Sequence, residues 1–219
     1  MNSTQGFEIA VIAMLLSLCL ASLVPHCAHG QVYSAEVVYM RGAHGISSEQ
    51  ARSVYREAVR RISEETGKTL VLRKWKVRSF NLALTFLNRA DVLNRVRGYF
   101  TRRKSNDWIQ IAIMGPLVQD GVWYSAGLAT GTCMRGYYSP LAVVNVTESN
   151  DLGAYRLPHA ITSIEHETGH LMGAEHDNST NRYGEASVMN GNALAYVEAQ
   201  KGRLFFSAKS VRQIRGCWR

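Results

Sequence analysis

The run His166-Glu167-Thr168-Gly169-His170-Leu171-Met172-Gly173-Ala174-Glu175-His176-Asp177 constrains the fold of this chain more than any other feature. It asks for a helix, an abrupt stop and a return of the chain on itself. Positions i and i+4 share one face of a helix, a turn apart, so His166 and His170 present their rings side by side. Glu167 sits about 100° further round, at about 3.6 residues per turn. That is too far round for a third ligand, but within reach of a water held beside the histidines. Gly173 suits the left-handed conformation that ends a helix, and the turn it makes can bring His176 back to the same point. Three imidazole nitrogens with one position left open are the donor set of a catalytic zinc ion. A structural zinc is closed by four protein ligands, often cysteines, and no cysteine lies near these histidines in sequence. His-Glu-x-x-His-x-x-Gly-x-x-His should arise by chance with a probability on the order of 10⁻⁴ or less. The bland alternative is a set of ordinary histidines on an amphipathic helix.

Ile161, Ile164, Thr168 and Leu171 fall at helical spacing and point away from the two histidines, which predicts a helix with a core face and a cleft face. Pro158 suits the start of that helix. His44 and His159 carry no comparable pattern, and His159 reads as structural or exposed.

The rest of the chain alternates. Val32–Arg41 reads as a strand. Ser47, with Gln50 three residues on, is a capping box that opens a helix carrying Val54, Ala58 and Ile62 on one stripe, with Gly67 as its stop. Thr69–Arg78 reads as a second strand, Arg89–Arg103 as a second helix and Trp108–Met114 as a third strand. Trp123–Thr130 is expected to be an edge strand and Leu141–Val146 a buried one, followed by the histidine helix. Ser207 caps a last short helix running to Arg215. Strands alternating with helices predict an α/β (α+β) fold with a twisted, mostly parallel sheet and crossover helices. The edge strand is expected to be antiparallel.

The histidine motif resembles that of the metzincin metalloproteases, and Asp177 directly after the third histidine resembles the adamalysin (reprolysin) branch; matrixins usually carry Ser there and astacins Glu. The resemblance implies a metzincin-type domain, with a small C-terminal subdomain below the active-site helix. It implies Zn²⁺ held by His166, His170 and His176, with Glu167 as general base. It also implies a Met-containing turn beneath the metal, for which Ser187-Val188-Met189-Asn190 is the candidate; an ordinary buried Met is the alternative. Astacins and serralysins place a Tyr two residues after that Met as an extra ligand. Here the position is Gly191, which implies water alone in the fourth site. Gly127-Leu128-Ala129 resembles the family's edge strand, so an extended peptide is expected to pair along Gly127, Leu128 and Ala129. Preference would come from a pocket lined in part by Ala193 and Leu194. The resemblance further implies a disulfide from Cys133 to Cys217. It is strongest over residues 121–219; before that only the order of elements fits.

Residues 1–30 read as a signal peptide. Ile9–Val24 is an apolar run of 16 residues, short of the roughly 20 that a membrane span needs. Ala28-His29-Gly30 offers the small residues of a cleavage site. Residues 31–219 then form one catalytic domain, secreted and monomeric, with its two remaining cysteines in an oxidising compartment. No pro-segment and no downstream module is expected, so either latency needs another device or the enzyme is born active. Asn145 and Asn178 head candidate glycosylation sequons. The chain carries 25 Lys and Arg against 17 Asp and Glu, a formal net charge of +8. Lys74, Lys76 and Arg78 share one face of a predicted strand, and Arg102-Arg103-Lys104 closes a helix. Solvated surface is the simple reading; contact with an anionic glycosaminoglycan or surface is the sharper one. No nucleic-acid-binding module is evident. The function expected is a secreted zinc endopeptidase acting on extracellular proteins and peptides. A secreted binding protein on the same scaffold is the alternative, although a pure binder has no chemical need of Glu167 and all three histidines.

Overall fold

In the computed structural model the described residues are 32–41, 46–79, 89–102, 108–114, 117–119, 122–124, 127–130, 139–146, 156–197 and 204–217. The expected signal peptide, His44, Cys133 and most of the Arg102-Arg103-Lys104 run lie outside them. The elements are β1 (Val32–Arg41), α1 (Ser48–Thr66), β2 (Thr69–Ser79), α2 (Arg89–Arg97), β3 (Trp108–Met114), β4 (Leu117–Gln119), β5 (Val122–Tyr124), β6 (Gly127–Ala129), β7 (Leu141–Asn145), α3 (Arg156–Leu171), a 3₁₀ turn (Ala193–Tyr196) and α4 (Ala208–Gly216). The five-stranded sheet runs β2-β1-β3-β7-β6. Four strands are parallel, and β6 lies antiparallel to β7 at the edge. This is the α/β architecture expected from the alternation of elements.

The two faces of the sheet carry separate apolar clusters, as the period of two along a strand requires. Val37 and Tyr39 of β1, Ile109, Ile111 and Ile113 of β3, and Ala142 and Val144 of β7 point to one face, where α1 and α3 pack. Val38, Met40, Ala112, Met114, Leu141 and Val143 point to the other, where Val92 and Val96 of α2 and the following Phe100 cover them. With both faces covered, β3 and β7 are buried at every position, as parallel strands usually are.

Local signals set the boundaries of α1. The Ser47 hydroxyl accepts from the Gln50 N–H while the Gln50 side chain accepts from the Ser47 N–H, and Gly67 ends the helix at φ 73°. Helix α2 is shorter than the 89–103 expected. It stops at Arg97, and residues 98–100 close by i→i−3 bonds, Tyr99 N–H to Val96 O among them. The chain tightens from Gly98 onward, and Phe100 reaches the core from that turn. The strand expected over 123–130 is two. Val122–Tyr124 forms a separate two-stranded sheet with Leu117–Gln119, and Gly127–Ala129 alone joins the main sheet.

The cationic face of β2 is not a free anion-binding strip. Lys76 Nζ lies 2.5 Å from the fully buried carboxylate of Glu36, and Lys74 Nζ donates to the Thr101 hydroxyl. Glu36 also accepts from the Thr101 N–H and hydroxyl and from Trp108 Nε1. This cluster pins the segment after α2 to the sheet, so the two lysines serve the fold. Among the described residues no helix is long and apolar enough to cross a membrane.

Candidate metal centre

Helix α3 carries the motif, and its surroundings differ from the expected core face and cleft face. Residues 160–169 are all buried, and His170 is the first to be half exposed. Ile161, Ile164, Thr168 and Leu171 do line the core, but β6 covers much of the opposite side. Glu165 faces α1, with Arg61 Nε 3.7 Å from its carboxylate. The helix ends at Leu171. Gly173 adopts φ 100°, and the Ala174 N–H reverts to the Gly169 carbonyl, so the chain turns back as the spacing predicts.

That turn brings His176 to the other two rings. His166 Nε2 lies 3.2 Å from His170 Nε2 and 3.3 Å from His176 Nε2. Among the described residues these three form a group able to hold a metal ion. Nitrogens each about 2.05 Å from a tetrahedral zinc would stand about 3.3 Å apart, which is the spacing seen. The outer nitrogens agree. His166 Nδ1 is 2.8 Å from Val188 O, and His170 Nδ1 is 2.8 Å from Ala174 O. A carbonyl only accepts, so both protons sit on Nδ1 and both Nε2 lone pairs face inward. Lone pairs so close repel unless a cation lies between them. Burial foremost, then the charge of His170 opposed by the Val188 hydrogen bond, holds the His166 imidazole down at about 4, so it is neutral at ordinary pH. The residues present fit a zinc ion.

Beneath the centre runs the turn Ser187–Asn190, closed by the Asn190 N–H on Ser187 O. Met189 is fully buried, and a Cβ on Gly169 would meet its sulfur at 2.6 Å, so the turn packs directly under the histidine helix. Asp177 joins these parts. Its N–H donates to Met189 O, one carboxylate oxygen accepts from the Ser179 N–H, and the other accepts from the Ser207 and Ser210 hydroxyls at the start of α4. Burial works against its charge, but these donors prevail and hold the carboxyl down at about 2.

Glu167 is 3% exposed and lies against Gly127 of β6. The side chains of Leu128 and Ala129 enter the two cores on opposite faces of the sheet. Neither side chain is therefore displayed to a partner. Ala193 is buried in the 3₁₀ turn, and the Leu194 side chain lies outside the described residues. Asn178 is exposed, whereas Asn145 is 2% exposed at the end of β7.

Pattern reading missed Gly169, the Val188 and Ala174 carbonyls and the seryl partners of Asp177. The carbonyls carry no side-chain signal at all. Gly169 was visible, but only the packing of Met189 gives it a reason.

No family model and no curated protein matches the sequence. Solved structures do resemble the fold. Archaemetzincin from Methanopyrus kandleri aligns with a TM-score of 0.54 at 18% identity, over 88% of this chain and 97% of its own. Metalloproteinase-II from Bacteroides fragilis aligns with a TM-score of 0.51 at 13% identity, over 88% of this chain and 55% of its own. At such identities the likeness is one of fold.

Proposed function

We propose that this chain is a zinc-dependent endopeptidase of the metzincin type, nearest in its motifs to the adamalysin branch. The observation that carries this reading is the convergence of three imidazole nitrogens at tetrahedral spacing, with a carboxylate on the next residue of the same helix. The resemblance to structures described as an archaemetzincin and a metalloproteinase supports it from the side of the fold.

His166, His170 and His176 would hold the metal. When bound, zinc supplies Lewis acidity, polarising a peptide carbonyl and lowering the pKa of water toward about 7. The protein's own groups do the rest. The Val188 and Ala174 carbonyls fix the tautomers of His166 and His170, an outer contact that orients metal-binding imidazoles. Glu167 takes a proton from the attacking water and hands it to the departing amine. Its burial beneath β6 excludes bulk solvent from that exchange. The outer edge of β6, the last strand of the sheet, would pair with an extended substrate backbone; such pairing orients a peptide without choosing its sequence.

Secretion, removal of residues 1–30, zinc as the physiological metal, extracellular protein substrates and a monomeric state belong to the same reading. So does the bridge from Cys133 to Cys217, supported by Cys217 being buried and disulfide-bonded. A glycan at Asn178 fits the exposure of that residue.

The test is cleavage of casein or gelatin by residues 31–219, with and without a chelator, beside Glu167→Gln. Cleavage that stops on chelation, returns with added zinc and is absent in the zinc-loaded variant is expected. No cleavage by a zinc-loaded wild type, or full turnover by Glu167→Gln, overturns the reading and leaves a binding protein on this scaffold.

A further inference from the structure

Gly127 occupies a place that no other residue can take without strain against β7 and crowding of Glu167. Its φ is 149°, a conformation that side-chain-bearing residues rarely adopt. A Cβ built there would stand 2.2 Å from the Val143 carbonyl oxygen, 3.0 Å from Glu167 Cγ and 3.2 Å from Glu167 Cδ. The first contact belongs to the sheet, because Gly127 pairs with Val144 of β7. The other two belong to the site. They show that the Cα of the edge strand faces the stem and carboxyl carbon of Glu167, which is 3% exposed, and leaves no ordinary contact distance for a side chain between them. A glutamate on a helix facing an open cleft has several rotamers available. Here the strand backbone bounds the side chain on one side.

We propose that Gly127 is a positioning residue for Glu167. The contact holds the carboxylate at a fixed distance from the strand on which a peptide would lie, so one glycine sets the base and the substrate backbone in register. This role rests on the endopeptidase reading, and it differs from pairing with substrate, which any residue's backbone could perform. Catalytic groups must be held to within about 0.5 Å, and a displacement of about 1 Å commonly costs about 100-fold in rate. The smallest side chain at 127 asks a few tenths of an ångström of Glu167, and a larger shift of β6 against the Val143 carbonyl, which would carry the strand away from the base.

A double-mutant cycle separates the two contacts. Gly127→Ala, Glu167→Asp and the double variant are prepared as zinc-loaded residues 31–219 and assayed on one quenched peptide. Gly127→Ala is expected to retain zinc and to lose about 10-fold in kcat with a much smaller change in KM. Strain against Val143 is common to both backgrounds and cancels in the cycle. Asp withdraws the carboxyl by one methylene and makes room for the new methyl group. The double variant should therefore be more active than the product of the single losses. Simple multiplication of the losses overturns the proposal.

A second measurement needs no variant at 127. In wild-type protein with labelled glutamate and glycine, an NOE from the Gly127 α-protons to the Glu167 γ-protons and a single Glu167 rotamer are expected with and without zinc. Rotamer averaging with no NOE overturns the proposal as well. Absence of any chelator-sensitive cleavage by the wild type would instead remove the endopeptidase reading, while cleavage combined with independent variants removes only the role of Gly127.

Discussion

Gly169 and Met189 meet with no side chain between them: a Cβ on Gly169 would stand 2.6 Å from the Met189 sulfur and 2.9 Å from a ring carbon of Phe206. Two effects oppose each other at this position. Alanine in a helix interior is favoured over glycine by about 1 kcal/mol, whereas overfilling a close-packed core costs about 1–3 kcal/mol. The surroundings here are buried and continuous, so packing prevails. Gly169→Ala is expected to lower the unfolding free energy of the metal-free protein, read from denaturant midpoints at constant slope. Gly169→Ala combined with Met189→Ala should be more stable than the sum of the two single changes predicts. A stabilised Gly169→Ala would mean that the turn does not bear on the helix.

Metal binding should appear as stability. A ligand that binds only the folded state adds about 2.7 kcal/mol at a hundred times its Kd, and the inward-facing nitrogens of His166 and His170 gain further by losing their mutual repulsion. Zinc is expected to raise the melting temperature of the wild type, and chelation to lower it again. His176 is the exposed member of the three, so His176→Ala removes a ligand with little loss of packing. That variant should match the metal-free wild type in stability and show no rise with zinc. A rise of wild-type size would place the metal elsewhere.

Much of this centre was legible because its signals are local. The i, i+4 pair, the glycine stop and the returning histidine each follow from helix geometry over a dozen residues. Ser47, Gln50 and Gly67 delimit α1 for the same reason. Signals failed where distant packing decided the outcome. Tyr99 and Phe100 extend the apolar stripe of α2, but the helix ends at Arg97 and Phe100 reaches the core from a turn instead. Residues 123–130 read as one edge strand, yet only Gly127–Ala129 finds a place beside β7. Lys74 and Lys76 read as surface charge because Glu36, on the neighbouring strand, lies far away in sequence. The all-round burial of α3 depends on β6 folding over it, which no periodicity within the helix can report.

Asp177 links three separate segments through side-chain and backbone bonds, so its loss should be felt in all of them. Hydrogen bonds to a charged group contribute about 1.5–3 kcal/mol each, and the seryl donors left behind are buried. Asp177→Ala is expected to cost about 2–4 kcal/mol in unfolding free energy. Because His176 is its neighbour, zinc affinity should fall about 10-fold, as for other supporting residues of metal sites. Competition with a chromophoric chelator measures the affinity. A variant that loses stability but binds zinc as before would confine Asp177 to the docking of α4.

Glu36 should make the fold acid-sensitive in a way that one substitution removes. Burial pushes its carboxyl up, but the Lys76 ammonium and the Thr101 donors outweigh that and hold it below its ordinary value of 4.5. The unfolded chain therefore takes up this proton at a higher pH than the folded one, and stability rises with pH across the interval between them. The contribution is complete above about 4.5 and is lost as pH falls through the lower, folded-state value. Breaking a buried ion pair costs about 3–5 kcal/mol, and the partial exposure of Lys76 places Glu36→Gln near the lower end of that range. The wild type is expected to exceed Glu36→Gln by about 3 kcal/mol at neutral pH. The gap should narrow steadily on acidification below the ordinary carboxylate value. Unfolding curves for both proteins between neutral and strongly acidic pH give the difference directly. A gap unchanged across that range would mean that Glu36 is protonated in the folded chain and that Lys76 does not hold it as an ion pair.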